Sequence, residues 1–280
     1  MTLKPVKPLR ALGSIGLYGF LTAIALVVLF PLGFMVINSL KEVPDFARNP
    51  FGSPSTIAWG NYVSAWINGR FSVRLGVSLL VTGTSVVSIV GIGALASYPI
   101  ARRLIRGGSR FYLLFISGIF IPAQITYLPL VVFARVAGLN NILGLILTMI
   151  AFQLPMAILV FVGFIKGLPK ELDESGRIDG LGDFAIFRLI ILPILSPAVS
   201  VVVITASLAV WNNFFYSFIL LKNVNNSPLP LGLFAFKSSF RVTYTELFAY
   251  MTSMLVPMLT LYVLMQRNII KGLTAGAVKQ

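Results

Sequence analysis

The sequence has no cysteine, no histidine and only eight acidic residues among its 280 positions. Without cysteine the chain forms no disulfide and offers no thiolate to a metal ion. Without histidine it lacks imidazole ligands and both the Ser-His and the Cys-His arrangements of nucleophilic catalysis. It also contains no G-x-x-x-x-G-K-[ST] stretch, the loop that cradles nucleotide phosphates. These absences argue against an enzyme that hydrolyses nucleotides or uses a bound metal.

Charged residues of either sign are scarce, and apolar residues dominate. The chain is 57% hydrophobic and 11% charged, whereas soluble domains are about 45–50% apolar and about 25% charged. Seven runs without Asp, Glu, Lys or Arg each reach the roughly 20 residues that a helix needs to cross a bilayer. One of them, 49–69, is broken by Pro50, Gly52, Pro54, Asn61 and Asn68 and is interpreted as an exposed loop. The other six are candidate spans. They are residues 11–40, 75–101, 111–134, 136–165, 189–221 and 247–266. Because these runs are apolar on every face, we predict an all-α integral membrane protein with six transmembrane helices.

The distribution of basic residues predicts the orientation in the membrane. Fourteen of the 22 Lys and Arg residues lie at the two termini and in the connections after the second and fourth runs. The positive-inside rule therefore predicts that the N- and C-termini are both cytoplasmic. Because the first run has thirty residues and no small-residue cleavage site follows it, we expect a retained anchor rather than a signal peptide.

The predicted organisation follows from these runs and their orientation. It comprises a cytoplasmic N-terminus (1–10), a first transmembrane helix (11–40), an extracytoplasmic loop (41–74), a core of five helices (75–267) with a cytoplasmic loop at 167–187, and a cytoplasmic tail (268–280). The Pro, Gly, Ser and Asn content of the outer loop indicates irregular structure.

Five of the eight acidic residues lie within the thirteen positions 171–183. Pro169 suits a first helical turn, acidic residues suit the positive end of the helix dipole, and Gly180 suits a left-handed cap. We predict a surface helix from Pro169 to Asp179, in which Arg177 pairs with an acid three or four positions earlier, Glu174 or Asp173.

Small residues within this helix, Ser175 and Gly176, leave room for another backbone to approach closely. The alternative interpretation is a solvated loop whose charges keep it out of the lipid.

The stretch ELDESGRIDGLGDFAIFRLIILPILSP, residues 171–197, resembles a known signature. It is similar to the E-A-A-x-x-x-G motif, continued by I-x-L-P-x-x-x-P, of permease subunits in binding-protein-dependent type I ABC importers. Other stretches resemble the carbohydrate branch, that is, the permeases of maltose and related sugar systems. These are VINSLK (36–41), WGNYVSAW (59–66), ASYPIARR (96–103), GLPKELDES (167–175) and QRNIIKGLTAGAVK (266–279). The matches cover nearly the full length in the expected order, but Ser175 and Gly176 replace the two alanines of the signature.

The resemblance implies the type I ABC importer permease fold, a bacterial inner-membrane location and a set of partners. The implied partners are two cytoplasmic ATPase subunits that bind ATP and Mg²⁺, a second and non-identical permease, an extracytoplasmic solute-binding protein and a carbohydrate. The chain itself would be no enzyme and would hold no cofactor. Its signature loop would be a coupling helix that docks into an ATPase subunit through Glu171, Asp173, Glu174, Ser175, Gly176, Arg177, Asp179 and Gly180. The matching C-terminal segment would also reach the ATPase, through Gly272, Thr274, Gly276 and Lys279.

Polar and aromatic side chains inside the apolar runs are candidates for the substrate pathway. Aromatic faces and amides bind sugars, and buried amides in membranes need partners. The candidates are Trp211, Asn212, Asn213, Tyr216, Gln124 and Gln153. The alternative interpretation is that these residues serve helix–helix contacts.

The predicted function is carbohydrate import by alternating access. A non-sugar solute such as glycerol phosphate or a polyol is the alternative substrate. A secondary transporter is a further alternative, which the lack of ionisable residues inside the runs weakens.

Overall fold

The computed structural model describes residues 8–221, 223, 226–236 and 243–277, with residues 8–15 and 267–277 described by their backbone alone. This part of the chain is built from helices and contains no strand. The all-α prediction is therefore confirmed.

Four described helices contain a segment long and apolar enough to cross a membrane. They are α1 (Pro8–Ser39), α4 (Phe71–Ala101), α7 (Ile142–Gly167) and α13 (Tyr244–Ala277), and the corresponding segments are Gly16–Ser39, Phe71–Ala101, Ile142–Gly167 and Tyr244–Gln266. Each coincides with a predicted apolar run, because length and apolarity are what the bilayer selects.

The other two predicted spans are each bent sharply. The first consists of α5 (Gly108–Ser117), a 3-10 turn (Gly118–Phe120) and α6 (Ala123–Val136), with a bend of 100°. Pro122, which precedes α6, lacks the N–H that would continue the helical ladder.

The second bent span begins with α9 (Asp183–Ile186), a π-helical turn (Phe187–Ile191) and α10 (Leu192–Ile194). It continues as α11 (Ser196–Trp211) after a bend of 74°. Pro197 lies in the first turn of α11, where its missing N–H is tolerated. Counting each bent pair as one span gives six candidate spans within the described residues.

The outer loop is more ordered than its composition predicts. It contains α2 (Val43–Arg48) and α3 (Gly60–Asn68), so the expectation of irregular structure is wrong there. Lys41 is fully buried, and its Nζ donates to the carbonyl oxygens of Asn49 (2.8 Å) and Pro50 (3.0 Å). Asn61 Nδ2 donates to the carbonyl oxygens of Ser39 (2.8 Å) and Lys41 (2.7 Å). These side-chain donors bind backbone carbonyl oxygens that have no partner within a regular helix or strand.

The predicted outer loop also ends too late. Because α4 begins at Phe71, Arg74 lies in its first turn rather than in the loop. Arg74 is buried and its Nη1 donates to Ser227 Oγ (2.7 Å), while Leu229 N donates to Ser78 Oγ (2.8 Å).

The chain divides into one compact unit of the residues up to Gly69 with Ala235–Met254, and another of Arg70–Phe234 with the residues from Leu255 onward. The second unit contains the remaining short helices, α8 (Glu171–Ile178) and α12 (Phe215–Leu220). It also contains all but the last two residues of a 3-10 helix (Leu229–Phe236). Its largest core forms between α4, α7 and the 186–206 segment, around fully buried Ile89, Phe161 and Leu195.

Gly93 allows α4 and α7 to pack closely. A Cβ at this position would lie 3.2 Å from Ala157 Cβ and 3.3 Å from Phe161 Cε2. We predict that Gly93→Val lowers the stability of the detergent-purified protein by about 1–3 kcal/mol, because overpacking forces the helices apart. Thermal unfolding measures this effect. The matched control is Gly76→Val on the same helix, where no atom lies within 4 Å of an added Cβ, and equal shifts for both variants would contradict the prediction.

Candidate functional site

The acidic segment forms α8, which begins two residues later than predicted. Lys170 precedes its first residue, and the Lys170 carbonyl accepts from the amides of Asp173 (2.9 Å) and Glu174 (3.1 Å). Pro169 therefore lies just outside the helix. The acidic residues of the first turn, Glu171, Asp173 and Glu174, lie at the positive end of the helix dipole as expected.

The end of α8 has the predicted glycine cap. Gly180 has a φ of +78°, in the left-handed region that favours glycine. Its amide donates to the Arg177 carbonyl (3.0 Å), and the Leu181 amide donates to the Gly176 carbonyl (2.9 Å). This pair of bonds is the Schellman arrangement, so the predicted stop is confirmed.

Asp173 does not pair with Arg177, and neither of the two predicted pairs forms. Its Oδ2 lies 2.7 Å from Arg102 Nη2, and its Oδ1 accepts from the Tyr98 hydroxyl at 2.7 Å. Only 10% of the Asp173 side chain and 8% of the Arg102 side chain are exposed. Arg177 instead pairs with Asp183, with 3.0 Å between Nη2 and Oδ1, and both of these side chains are about half exposed. The predictions failed because Asp173 faces the end of α4 rather than the solvent.

Arg102 joins three segments of the chain. It immediately follows α4, and its guanidinium also donates to the carbonyl oxygens of Leu168 (Nη1, 3.2 Å) and Pro169 (Nη2, 3.1 Å). Leu168 is the C-cap of α7, so the cation satisfies a carbonyl at the negative end of that helix. We call Tyr98, Arg102 and Asp173 the buried brace.

Sequence reasoning missed the buried brace. It used Arg102 only as one of the basic residues that set the orientation. A signal was present, because Tyr98 and Arg102 are four residues apart in ASYPIARR and so lie on the same face of α4.

Gly176 faces its own chain rather than a partner. It is buried, and a Cβ there would lie 2.9 Å from both Ile186 Cγ1 and Ile190 Cδ1. The interpretation that Gly176 leaves room for another backbone is therefore corrected, because its space is taken by these two isoleucines. Ser175 is exposed, and its Oγ donates to the Leu172 carbonyl (3.1 Å) within the helix.

The opposite face of α8 is exposed and carries an apolar side chain between acids. Ile178 is 86% exposed, although the sequence-based site did not include it. A helical rotation of about 200° separates position 178 from the buried position 176, so a helical wheel could have identified it. The predicted residues that share this exposure are Glu171, Glu174, Ser175, Arg177, Asp179 and Gly180.

The candidate pathway residues of the fifth predicted span lie at a break in the helix. α11 ends at Trp211, and α12 starts at Phe215. Asn213 Oδ1 accepts from the amides of Tyr216 (3.1 Å) and Ser217 (3.4 Å), so it caps the start of α12. The predicted uninterrupted run through this region is therefore corrected, while Asn212 is exposed within the break.

Trp211 lines an open groove of about 900 Å³ in the second unit. The groove is mostly apolar, and its polar lining residues are Thr82, Ser207, Thr260 and one cation, Arg188, together with Trp211. Its walls come from α4, the 184–192 segment, α11 and α13. On α4 the lining residues are Leu79, Thr82, Gly83, Val86, Val87, Val90, Gly91, Ala94 and Leu95.

Tyr216 lies in an aromatic contact rather than in this groove. Its ring packs against Tyr127 (5.2 Å between centroids) and Phe152 (4.9 Å), and its hydroxyl lies 3.3 Å from Thr126 Oγ1. This geometry matches the alternative interpretation, contact between helices α6, α7 and α12. Of the two glutamines, Gln124 is exposed on α6 and Gln153 is half-buried on α7. The predicted pathway residues thus do not form one cluster.

The C-terminal candidates continue a helix. α13 runs to Ala277 without a break at the predicted boundary between residues 267 and 268. Gly272, Thr274 and Gly276 lie within this helix, where the backbone alone is described, and Lys279 lies outside the described residues.

Most of the chain matches known proteins of one kind. The family described as "Binding-protein-dependent transport system inner membrane component" matches residues 89–274, which include α8, the buried brace and most of the residues that line the groove. The multiple sugar-binding transport system permease protein MsmG of Streptococcus mutans is 31% identical over 266 residues, covering 94% of this chain and 96% of the relative. The arabinooligosaccharides transport system permease protein AraQ of Halalkalibacterium halodurans is 30% identical over 261 residues, covering 91% and 93%.

A solved structure shares the fold. It is the crystal structure of a bacterial ABC transporter involved in the import of the acidic polysaccharide alginate. One of its chains aligns with a TM-score of 0.82 at 19% identity, covering 95% of this chain and 99% of that chain.

The left-handed conformation of Gly180 at the end of α8 leads to a specific prediction. Gly180→Ala should destabilise the end of α8 by about 1–2 kcal/mol, because a Cβ is strained at positive φ. Hydrogen exchange of the α8 amides in the purified protein should then be roughly tenfold faster, since every 1.4 kcal/mol changes an opening equilibrium by about that factor. The matched control is Gly182→Ala, where φ is −75° and no atom lies within 4 Å of an added Cβ. The prediction fails if both variants exchange alike.

Proposed function

The chain belongs to the family of binding-protein-dependent transport system inner membrane components, and from this premise we propose how its parts act in import. It is a permease subunit of a carbohydrate ABC importer in the bacterial inner membrane. The carbohydrate class is supported by the relatives MsmG and AraQ, which are named for sugar and arabino-oligosaccharide transport. The finer proposal is alternating access, in which this chain walls half of the pathway and a second, non-identical permease walls the other half.

ATP hydrolysis is assigned to two cytoplasmic ATPase subunits, which would bind ATP and Mg²⁺. Because this chain has no phosphate-cradling G-x-x-x-x-G-K-[ST] loop, its own task is to transmit motion. An extracytoplasmic solute-binding protein would deliver the sugar on the opposite side, and the N- and C-termini would face the ATPases.

The single observation that carries the coupling proposal is the exposed face of α8. This face presents Glu174 and Ile178 outward, while Asp173 and Gly176 hold the helix to its own chain. An apolar side chain surrounded by charge on a short polar helix is typical of a protein contact, because desolvated anchors surrounded by polar rims carry binding energy. We assign Ile178 to an apolar recess of the ATPase and Glu174 to a basic residue beside it.

Further residues of the predicted site would surround this contact. Glu171, Ser175, Arg177, Asp179 and Gly180 form the rim. The end of α13, from Gly272 to Gly276, would make an additional ATPase contact.

The groove is proposed as this chain's share of the pathway. Its mostly apolar lining offers few hydrogen-bond partners to a sugar, which suits passage better than tight binding. The exposed polar groups of its lining are Arg188 and Thr260. In contrast, Trp211, Thr82 and Ser207 are almost fully buried and would contact the solute only once the groove widens. The companion permease would supply the remaining polar contacts.

The docking assignment predicts that Glu174→Lys removes ATPase subunits from the complex. Reversing the charge replaces an attractive contact by a repulsive one, so co-purification of the ATPase with this chain should fall about tenfold or more. The control is Glu42→Lys, the reversal of an exposed glutamate in the loop that follows α1. The assignment is wrong if ATPase recovery and sugar uptake match the parent in both variants.

The pathway assignment predicts that Gly83→Trp blocks uptake. Gly83 lines the groove and has no atom within 4 Å of an added Cβ, so a tryptophan side chain at this position should extend into the groove. Transport by the reconstituted importer should fall about tenfold or more, as expected when bulk fills a site that the solute must occupy. ATPase recovery should remain unchanged.

The matched control for the groove is Gly76→Trp. Gly76 lies on the same helix with the same free space but does not line the groove. Loss of the companion permease from the Gly83→Trp complex would instead identify the groove as a permease–permease contact, and unchanged uptake would exclude it from the pathway.

A further inference from the structure

We propose that the buried brace of Tyr98, Arg102 and Asp173 is the joint through which α8 moves α4 and α7 as one body. The proposal rests on the coupling role of α8 proposed above. It assigns Asp173 and Arg102 as positioning residues, which act inside the chain while Glu174 and Ile178 act toward the ATPase.

The covalent connections of α8 do not by themselves hold it to α4. The chain reaches α8 from α7 through residues 168–170 and leaves it through Gly180 and Gly182. Neither glycine has an atom within 4 Å of where its Cβ would be, and between them only the Leu181 side chain packs against the core. A force on α8 therefore depends on side-chain contacts to reach α4, which is 75 positions away along the chain at Tyr98.

The buried brace provides that contact with two short polar interactions. Asp173 binds Arg102 and Tyr98 at 2.7 Å each, and Arg102 extends the connection to the carbonyls of Leu168 and Pro169, which directly follow α7. A charge pair shielded from water resists separation far more than a solvated one, because parting leaves an uncompensated buried charge. The three helix ends should therefore move together.

The other side of α8 has a separate, apolar connection. Gly176 packs against Ile186 in α9 and against Ile190 in the following π-helical turn. This contact carries motion toward α11 and the groove. Breaking the buried brace should hence release α4 from α8 and leave α7 joined to α8 only through residues 168–170, while the α11 connection stays in place.

The experiment compares two Asp→Asn substitutions in the same segment. Asp173→Asn removes the buried charge, and Asp183→Asn removes the exposed partner of Arg177, whose side chain is about half exposed. Both variants are assembled with the companion permease, the ATPases and the binding protein in proteoliposomes. The measured quantities are the ATPase recovered per permease and the sugar transported per ATP hydrolysed.

The expected result is normal ATPase recovery for both variants, with transport per ATP about tenfold lower for Asp173→Asn alone, within the range by which coupling contacts act. A purely structural role would lower the amount of assembled complex and leave transport per ATP unchanged. That outcome, or equal coupling in the two Asn variants, overturns the proposal.

A distance measurement tests the joint directly. Since this chain has no cysteine, Lys170→Cys at the start of α8, outside the proposed ATPase contact, and Ile92→Cys on α4 give one defined pair of spin labels when the companion subunits are also cysteine-free. The label distance should stay narrow with and without ATP in the parent and in Asp183→Asn. It should broaden in Asp173→Asn. A narrow distribution in all three would overturn the proposal even if the docking of Glu174 were wrong.

A milder variant covers the case in which Asp173→Asn does not assemble. Tyr98→Phe removes one hydrogen bond from the buried brace but keeps the ring that packs 5.6 Å from Phe187. It should assemble and lose about two- to fivefold in transport per ATP, as expected for one hydrogen bond to a charged group in a coupling network. Full coupling in an assembled Tyr98→Phe importer would overturn the proposal.

Discussion

A carboxylate and a guanidinium shielded from water determine how the signature segment is built. Asp173 cannot be buried without a partner, because an isolated charge in a low-dielectric site is costly. Arg102 meets that need and simultaneously satisfies carbonyl oxygens at the end of α7. Once α8 is oriented by this pair, its other residues have defined environments. Gly176 lies against the isoleucines of the following segment, and Ile178 is left in solvent.

Neighbouring acids in α8 therefore have different tasks. Asp173 is turned inward and Glu174 outward, although both lie in the same first turn and both suit the helix dipole. The exposed pair of Arg177 and Asp183 has the same chemistry as the buried one but exchanges its partners with water, so its effect on stability is small. The two pairs therefore differ in burial and not in residue type: the buried pair holds α8 to α4, whereas the exposed pair lies at the edge of the proposed ATPase contact.

Much of the fold could be predicted from the sequence, because membrane spans and helix caps depend on local chemistry. Apolar length located α1, α4, α7 and α13, and Gly180 marked the end of α8. The size and direction of the sharp bends could not be predicted, since a proline inside an apolar run is compatible with a kink but specifies neither. The partner of Asp173 was missed for another reason. Spacing rules consider residues three or four positions apart, whereas Arg102 lies on a different helix.

The packing of Ile186 and Ile190 against Gly176 limits which side chains relatives can carry at these positions. Its missing Cβ is matched by the volume of Ile186 and Ile190, each of which would lie 2.9 Å from an alanine methyl. Alanine, which the signature carries at this position, would fit here only if Ile186 and Ile190 shift or are replaced by smaller side chains. These three positions are therefore one unit of packing that should vary together. A signature loop exchanged between relatives would need to include the π-helical turn as well as α8.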